Sequence, residues 1–516
     1  LQPYLDDNVK IDPSSFCPHP FMIVDLKVAP GATVYQRSYR PFSQSQQGEV
    51  DKQVEQWEAD GVIVPAPPGT KHMNKLTLAA RHDLDGNIIK HRVCLDPRHL
   101  NSLLEDTDNF LLPLITDVLE KSGGHKFYST LDLKQAFHRL PLSKKSQPYT
   151  AFMHKNKQFM FARAPFGLKP MTSIFQRGMS LILGDLAFVA VYVDDIVIFS
   201  NSKEEHALHV QEVISRLTKA NLIINPEKCH FFCTEVILLG FIIDRNGRRI
   251  MPQKIANIKS WAPPTNAKMV QRYLGMFNYF REYIPLYGTL SAPLDELRFR
   301  RGHFVLSDLQ LECFNQIKYL ISQAPVLHFP DFSKPFYVAT DASNLGLGAV
   351  LYQLPNGPED ESVVHYISFM ARSLKKHERN YPAYKKELLG IVFALKKFHY
   401  YLWGRPFTLY TDHKPLTFIK TQADLPATIA NWTETILSYD FKCVYRPGLL
   451  NIIPDALSRA FPSELWPSPD PDPLVHRDKR RKAAVSTRSS FRAFSAPSSP
   501  ELVVKAKDLA NQMLEL

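Results

Sequence analysis

Apolar residues follow two spacings along most of the chain, one typical of strands and one typical of helices. Phe127–Leu133 and Phe188–Phe199 are apolar and rich in β-branched residues, so they predict a strand and a hairpin. Glu204–Asn221 repeats apolar residues every three or four positions, which predicts an amphipathic helix. The buried stripe of that helix should consist of Val210, Val213, Ile214 and Leu217.

Two further regions with regular patterns follow. A break at Pro263–Pro264 precedes a second helical region. Its apolar positions are Tyr273, Leu274, Phe277 and Phe280. In a third region, Phe336–Thr340, Gly348–Tyr352 and Phe407–Thr411 predict strands, and Tyr384–Leu402 predicts one long helix. Strands that alternate with helices indicate an α/β architecture.

Length and composition are those of a globular protein with several domains. The 516 residues correspond to about three domains, and 45% hydrophobic with 22% charged residues is ordinary for folded chains. These values exclude collagen, a coiled coil and wholesale disorder. The net charge of +11 favours a polyanionic partner such as nucleic acid.

The composition changes after Ala460. Residues 461–500 contain 7 Pro and 8 Ser, which is typical of a linker. Within this stretch, residues 476–492 carry seven Lys or Arg and one Asp, a net charge of +6. Three interpretations stay open for this basic segment: a solvated linker, a patch that binds nucleic-acid backbone, and a nuclear localisation signal.

The sequence carries no pattern typical of membrane insertion or secretion. No uncharged apolar run approaches the roughly 18 residues of a spanning helix, so we expect no membrane partner. The chain starts at Leu1 without a charged-then-apolar signal, and we expect a piece of a longer polyprotein or an incomplete reading frame. Six cysteines are too few for a disulfide framework, so we expect free thiols in an intracellular protein.

Two acidic residues interrupt one of the apolar runs. Asp194 and Asp195 stand inside Val189–Phe199, where Asp is disfavoured in a strand and a buried unpaired carboxylate is costly. One explanation is a tight turn, and the other is a Mg²⁺ site built from oxygen ligands. Asp132 lies in another strand-like run, within Ser129–Leu133. Three Asp residues on adjacent strands could hold two Mg²⁺ ions, as nucleotidyl transfer requires.

These residues stand in motifs that resemble those of reverse transcriptases. Tyr192–Asp195 resembles the Tyr-x-Asp-Asp signature, Leu131–His138 the first catalytic motif, and Pro165–Arg177 the segment between them. Residues 91–101 resemble the fingers segment. Over about residues 20–459, the chain is similar to the polyprotein of gypsy-type LTR retrotransposons, the Metaviridae. Several ordered motifs at family spacing make the resemblance specific.

The resemblance assigns roles to single residues. It implies that the catalytic carboxylates are Asp132, Asp194 and Asp195, with the first two as main metal ligands. Phe137 would lie under the sugar and exclude a 2′-OH; an ordinary core aromatic is the alternative. Arg92 would contact the incoming triphosphate, because its donors match phosphate oxygens; a surface Arg is the alternative. The other implied residues of the nucleotide and template pocket are Phe166, Gly167 and Gln176.

A second set of carboxylates lies in the third region. Taken singly, Asp341 and Asp412 fit strand-end caps, Glu387 a solvated helix face and Asp455 a helix N-cap. Taken together, on a strand–helix–strand–helix pattern, they resemble the RNase H domain that follows gypsy-type polymerases. The run 410–416 carries this resemblance clearly. It implies that these four carboxylates hold metal ions that hydrolyse RNA in an RNA–DNA hybrid.

The resemblance implies an α/β (α+β) architecture: a right-hand polymerase with fingers, palm and thumb, followed by an RNase H-like domain. The expected divisions are an N-terminal segment with fingers (1–125), a palm (126–250), a thumb or connection (251–329), an RNase H-like domain (330–460), and a Pro/Ser-rich basic tail (461–516).

The implied function is RNA- and DNA-directed DNA polymerisation together with RNase H activity. Two Mg²⁺ or Mn²⁺ ions per active site, an RNA template, a DNA primer, the RNA–DNA hybrid and dNTPs are implied as cofactors and partners. The expected location is intracellular, in a cytoplasmic particle, with the nucleus as a second site. The alternative is a catalytically inactive or co-opted relic of a retroelement that binds nucleic acid.

Overall fold

The computed structural model describes residues 1–36, 42–82, 88–105, 110–284, 287–342, 346–358, 360, 363–411 and 430–446. At residues 81, 82, 88–90, 341, 430 and 431 it describes the backbone alone. The chain divides into two compact units, one ending at Asn246 and the other beginning at Gly247. This border lies close to residue 250, where the sequence predicts the end of the palm.

The first unit contains six helices and eleven strands among its described residues. The helices are α1 (Gln2–Val9), α2 (Gln44–Ala59), α3 (Arg98–Leu103), α4 (Ile115–Ser122), α5 (Met171–Leu183) and α6 (Lys203–Lys219). The strands are β1 (Ile63–Pro65), β2 (Lys75–His82), β3 (Ile88–Asp96), β4 (Phe127–Leu131), β5 (Phe152–His154), β6 (Lys157–Phe161), β7 (Val189–Tyr192), β8 (Asp195–Ser200), β9 (His230–Cys233), β10 (Glu235–Leu238) and β11 (Phe241–Asp244).

The central sheet of the first unit has the strand order β7-β8-β4-β9. β4 runs antiparallel to β8, from the pair Phe127↔Ser200 to the pair Leu131↔Ile196. β7 pairs with β8 in an antiparallel manner, which confirms the predicted hairpin at 188–199. The predicted strand at 127–133 ends at Leu131. Smaller sheets flank it: β1-β6-β5, the pair β2-β3, and the hairpin β10-β11.

Helix α6 covers this sheet with the predicted apolar stripe. The four residues of the stripe are fully buried: Val210, Val213, Ile214 and Leu217. The helix begins after Ser202, whose hydroxyl accepts a hydrogen bond from the Glu205 N–H at 3.2 Å. Glu204 and Glu205 also place negative charge at the positive end of the helix dipole. Cap and stripe together explain why the sequence predicts this helix correctly.

The N-terminal helix is tied to the region after α6 through one buried side chain. Asn8 is fully buried, and its amide nitrogen donates to the Leu222 carbonyl at 2.9 Å. Its amide oxygen accepts from the Ile224 N–H at 2.7 Å. The Asn8 amide stabilises both segments, because the two buried backbone groups have lost their hydrogen bonds to water and would otherwise have no partner.

Residues 12–15, here called the N-terminal strap, lie against two buried guanidinium groups. Arg139 donates to the carbonyl oxygens of Asp12 at 3.2 Å and Ser15 at 3.1 Å. Arg163 donates to the carbonyl oxygens of Pro13, at 3.0 Å, and Ser14. Backbone carbonyl groups thus solvate both cations in the interior.

The second unit contains eight helices and seven strands among its described residues. The helices are α7 (Pro252–Lys259), α8 (Ala267–Tyr279), α9 (Tyr287–Asp295), α10 (Asp308–Ser322), α11 (Lys376–Arg379), α12 (Ala383–Lys397), α13 (His399–Leu402) and α14 (Ala430–Leu437). The strands are β12 (Gly247–Ile250), β13 (Leu327–His328), β14 (Phe336–Ala342), β15 (Gly346–Gln353), β16 (His365–Ser373), β17 (Phe407–Thr411) and β18 (Phe441–Tyr445). None of the helices in the described ranges has the length and apolarity that crossing a membrane requires.

Helix α8 and the residue after it bury the predicted apolar positions of the second region: Tyr273, Leu274, Phe277 and Phe280. The Trp261 ring stacks on Tyr273, with ring centroids 4.4 Å apart. Phe314 from α10 packs on the other side of this group, 5.5 Å from Tyr273. Aromatic packing therefore forms the core of the helical part of this unit.

Five of the strands in the second unit form one sheet, in the order β16-β15-β14-β17-β18, and β12 pairs with β13 in an antiparallel manner. β14 is antiparallel to β15 and parallel to β17, and β17 is parallel to β18. α12 packs on β14 and β15. Every residue of β15 is buried, which explains why the Gly348–Tyr352 run is almost continuously apolar.

The long helix predicted at Tyr384–Leu402 is two helices, and that prediction was wrong. α12 ends at Lys397, and Phe398 leaves the helical region with φ −95° and ψ 16° before α13 begins. Phe398 is fully buried, and the neighbouring His399 ring bonds the Tyr439 hydroxyl at 2.6 Å. The break is thus associated with tertiary contacts and lacks the Pro or Gly that would mark it in the sequence.

Candidate active site

The hairpin of β7 and β8 carries two of the predicted catalytic carboxylates at its tip. Tyr192 pairs with Asp195, so Val193 and Asp194 form a two-residue turn. The tight turn that the sequence offered as one explanation is therefore present, and it carries the acidic side chains; the Mg²⁺ site offered as the other explanation stays a prediction. Val193 has φ +54°, a left-handed conformation that is uncommon for a β-branched residue.

The tip of this hairpin is held from α5. Gln176 is buried, and its amide oxygen accepts from the Val193 N–H at 2.6 Å. Its amide nitrogen donates to the Val191 carbonyl at 3.3 Å. The sequence predicts a place in the nucleotide and template pocket for Gln176, and the structure puts its amide on the backbone of the turn.

The third carboxylate, Asp132, lies at the same end of the sheet. It follows Leu131, which pairs with Ile196, and Ile196 follows Asp195. The Asp132 N–H donates to the Cys229 sulfur at 3.4 Å. The Asp132 carbonyl accepts from the Asn225 N–H at 2.8 Å. The segment 225–229 therefore fixes the backbone of Asp132.

Lys228 adds a cation that the motifs did not indicate. Its ammonium group lies 3.1 Å from Oδ2 of Asp132. The two residues are 96 positions apart in the chain, and Lys228 is the last residue of a short 3-10 turn, Pro226–Lys228. Tertiary contacts bring this segment beside the carboxylates, among them the pairing of β4 with β9 and the hydrogen bond of Asn225 to Asp132, so sequence spacing gave no signal for it.

The three carboxylates act on each other electrostatically. Shielding from water, followed by the charges of Asp195 and Asp132, raises the pKa of Asp194 to about 6. Shielding, followed by the charge of Asp132, also raises the pKa of Asp195. Because both residues are exposed at the surface, solvent screens part of this repulsion. The direction of both shifts indicates a site that favours an added cation.

A cavity of about 370 Å³ opens beside the carboxylates. Its walls come from β4 and β8, from Lys228 and β9, and from the hairpin β10-β11. The lining residues nearest in sequence to the catalytic motifs are Thr130, Leu131, Asp132, Asp195, Ile196 and Val197. The sequence resemblance assigns no residue to most of this surface.

Residues predicted for the nucleotide pocket form a second group in the first unit. Phe137 packs edge-on against Phe166, with ring centroids 5.4 Å apart, and against Phe175 at 5.3 Å. The exposed Arg92 guanidinium lies 5.2 Å from the centre of the Phe166 ring. The structure thus brings Arg92, Phe137 and Phe166 together.

Gly167 follows this aromatic group in a tight turn. It has φ +92°, and a Cβ there would lie 3.1 Å from Cγ of Pro97. Asn101 holds the turn from both sides: it donates to the Gly167 carbonyl at 2.8 Å and accepts from the Lys169 N–H at 2.9 Å. Asn101 lies in the segment that resembles fingers motifs, but the sequence did not assign it this contact.

Two of the four carboxylates predicted for the second site lie on described backbone. Asp341 is in β14, where it pairs with Gly348. Glu387 in α12 is buried, and its Oε1 accepts from the Ala342 N–H at 3.2 Å. Glu387 therefore stands beside the strand that carries Asp341, on a buried face and not on the solvated face offered as its alternative. Asp412 and Asp455 lie outside the described residues.

Divalent cations suit the chemistry of these side chains, since carboxylate oxygens are the ligands that Mg²⁺ prefers. Within the described ranges, no three His, Cys, Asp or Glu side chains stand in an arrangement that could hold a metal ion. In the first site, the Lys228 ammonium is hydrogen-bonded to Asp132. The donor types fit Mg²⁺, and their side chains would have to rearrange around it.

Two family models match the chain. Residues 69–243 match "Reverse transcriptase (RNA-dependent DNA polymerase)", and this range contains the first three carboxylates. Residues 331–439 match "RNase H-like domain found in reverse transcriptase", and this range contains Asp341, Glu387 and Asp412. The chain therefore carries a reverse transcriptase domain followed by the RNase H-like domain of reverse transcriptases.

Among its curated relatives are three Pol polyproteins of Drosophila melanogaster transposons. The chain is 34% identical to that of opus over 447 residues, which are 83% of this chain and 43% of the relative. It is 36% identical to the polyprotein of transposon 297, over 84% of this chain and 40% of that relative. It is 33% identical to the polyprotein of gypsy, over 90% of this chain and 45% of that relative. The chain is thus of the gypsy type, as its motifs predict, and spans less than half the length of these relatives.

Solved structures of foamy viral protease-reverse transcriptase share the fold. The complex with an RNA/DNA hybrid has a TM-score of 0.66 at 21% identity, covering 89% of this chain and 60% of that chain. The complex with dsDNA has a TM-score of 0.69 at 22% identity, covering 82% of this chain and 88% of that chain. The predicted fold class, a polymerase followed by an RNase H-like domain, is confirmed.

Proposed function

We propose that this chain is an RNA- and DNA-directed DNA polymerase with RNase H activity, within a retrotransposon polyprotein. The observation that carries the proposal is the position of three carboxylates: Asp132, Asp194 and Asp195. They meet at one end of the β4-β8 pair, inside the region that matches reverse transcriptases. The partners proposed are an RNA template, a DNA primer, their hybrid and dNTPs.

In the polymerase site, Asp132 and Asp194 would be the main metal ligands, with Asp195 beside them. Bound Mg²⁺ or Mn²⁺ ions, two per active site, would supply the Lewis-acid chemistry that favours attack of a primer 3′-OH on the α-phosphate, with pyrophosphate as the leaving group. The protein contributes orientation and charge. Lys228 must leave Asp132 Oδ2 when this oxygen binds a cation. Lys228 also lines the cavity beside the carboxylates, so its ammonium would stay close to the site.

The group of Arg92, Phe137 and Phe166 would receive the nucleotide. Phe166 holds the Arg92 guanidinium on its face, which leaves the N–H donors at the guanidinium edge for phosphate oxygens. Phe137 is fixed between two aromatic rings, so its position is rigid enough to exclude a 2′-OH. Gly167 keeps the turn beside this group close to Pro97.

In the RNase H-like site, Asp341, Glu387, Asp412 and Asp455 would hold the ions that hydrolyse the RNA strand. Glu387 is buried beside the backbone of β14, which keeps its carboxylate at the strand end. We also propose an intracellular location, in a cytoplasmic particle and the nucleus. The basic segment 476–492 lies outside the described residues. Its three interpretations (a linker, a patch for nucleic-acid backbone and a nuclear localisation signal) therefore stay predictions.

One reaction tests both activities and the inactive-relic alternative. A DNA primer on an end-labelled RNA template, with dNTPs and Mg²⁺, reports extension and RNA cleavage in the same tube. Asp194→Asn should abolish extension and leave cleavage, and Glu387→Gln should do the opposite. Folded wild-type protein that binds the hybrid without making either product would refute the proposal in favour of the relic.

A further inference from the structure

The turn between β7 and β8 has a backbone conformation that its own sequence disfavours. Val193 adopts φ +54°, where a β-branched side chain crowds its own backbone. Two-residue hairpin turns with positive φ are usually built from Gly, Asn or Asp. The surrounding structure must therefore hold Val193 in place, and Asp194 is the next residue in the chain.

Gln176 is the side chain that holds it. Gln176 is 3% exposed, and both polar atoms of its amide bond the backbone of this hairpin. Oε1 accepts from the Val193 N–H at 2.6 Å, and Nε2 donates to the Val191 carbonyl at 3.3 Å. Only one orientation of the amide satisfies an N–H and a carbonyl together, so the pairing fixes the orientation of the side chain.

We propose that Gln176 is a positioning residue for polymerisation, which sets the Asp194 carboxylate by clamping the strained Val193 turn. The inference rests on the proposed polymerase function. It assigns Gln176 a role through Asp194 and not through direct contact with the nucleotide. Loss of the clamp should let the turn relax, and a small displacement of a catalytic group lowers the rate strongly.

Lys121, in α4, offers a matched control because it also bonds the backbone of β7. Its ammonium donates to the Val189 carbonyl at 2.6 Å, at the end of β7 away from Asp194. Lys121→Met removes a part-buried hydrogen bond to the β7 backbone, as Gln176→Met does, but leaves the turn untouched. General loosening of the strand would affect both variants alike, whereas the clamp concerns Gln176 alone.

The test measures steady-state primer extension and hybrid cleavage by the full chain. Gln176→Met should lower kcat for extension about tenfold, with KM for dNTP changed less than about twofold. Lys121→Met should keep kcat within about twofold, and RNA cleavage should be unchanged in both variants. Because Gly tolerates positive φ, Val193→Gly in the Gln176→Met background should recover part of kcat.

Three results would overturn the proposal. The first is an unchanged kcat in Gln176→Met, and the second is a raised KM with normal kcat, which would indicate a nucleotide contact. The third is an equal loss in Lys121→Met. Amide hydrogen exchange of Val193 gives a readout without turnover, and its protection should fall in Gln176→Met. Wild-type protein without extension would refute the polymerase proposal and this role together, while exchange would still report whether the clamp exists.

Discussion

The raised pKa of Asp194 predicts that removing a catalytic charge stabilises the metal-free protein. Asp194→Asn keeps the shape of the side chain and deletes its negative charge. A carboxyl whose pKa rises on folding ionises more easily in the unfolded chain. The wild-type protein should therefore lose stability as pH rises from about 4 through about 6, and the variant should lack that loss.

The size of the effect follows from the pKa and the exposure of the group. A rise from 3.8 to about 6 corresponds to about 3 kcal/mol for a fully shielded carboxyl. Asp194 is exposed, so solvent screening reduces this to about 1 kcal/mol. For a unit of this size, about 1 kcal/mol raises the unfolding temperature by about 2–4 °C.

The assay is scanning calorimetry in EDTA at pH 8 and at pH 4.5. Asp194→Asn should unfold at a higher temperature than wild type at pH 8, and the difference should shrink at pH 4.5. Asp185→Asn serves as control with the opposite sign, because its hydrogen bond from Arg216 lowers the pKa of Asp185. A variant less stable than wild type at pH 8 would refute the inferred repulsion among the three carboxylates.

Two further predictions concern Lys228 and Asn8. Lys228→Gln removes the ammonium from Asp132; since an exposed ion pair contributes up to about 1 kcal/mol, Mn²⁺ should bind up to about fivefold more tightly. Electron paramagnetic resonance in a Glu387→Gln background measures the affinity for Mn²⁺. Weaker Mn²⁺ binding by Lys228→Gln would contradict the idea that the ammonium competes with the ion for Asp132. Asn8→Ala leaves two buried backbone groups without their side-chain partner, so it should lower the free energy of unfolding, measured in urea, by about 2–3 kcal/mol. Gln2→Ala, an exposed neighbour, should change it by less than about 0.5 kcal/mol.

The spacing of apolar residues was enough to predict elements whose signals lie within one short stretch of sequence. The stripe of α6 and its Ser202 cap lie within one helix, and the β7-β8 hairpin is a continuous apolar run with a two-residue turn. The break at Phe398 could not be predicted, because the contacts found there are tertiary: Phe398 is buried, and His399 bonds Tyr439 from a distant part of the chain. Helical periodicity continues through it unchanged.

The candidate site divides in the same way. The motifs located Asp132, Asp194 and Asp195, because Asp is unusual within apolar strands. They did not locate Lys228, which reaches Asp132 from 96 residues away, or the contact of Gln176 with Val193. Both contacts join groups that are far apart in the chain and that only the folded structure brings together, so no spacing in the sequence indicates them.

The N-terminal strap has a consequence for how this protein can be purified. A basic chain carries nucleic acid out of a cell extract, and concentrated salt is the usual means of stripping it away. Such salt screens exposed charges but weakens buried bonds much less. Arg139 and Arg163 are buried, and they hold the strap through part-buried hydrogen bonds to its peptide carbonyl groups. The strap should therefore stay in place through a high-salt wash that releases bound polyanions.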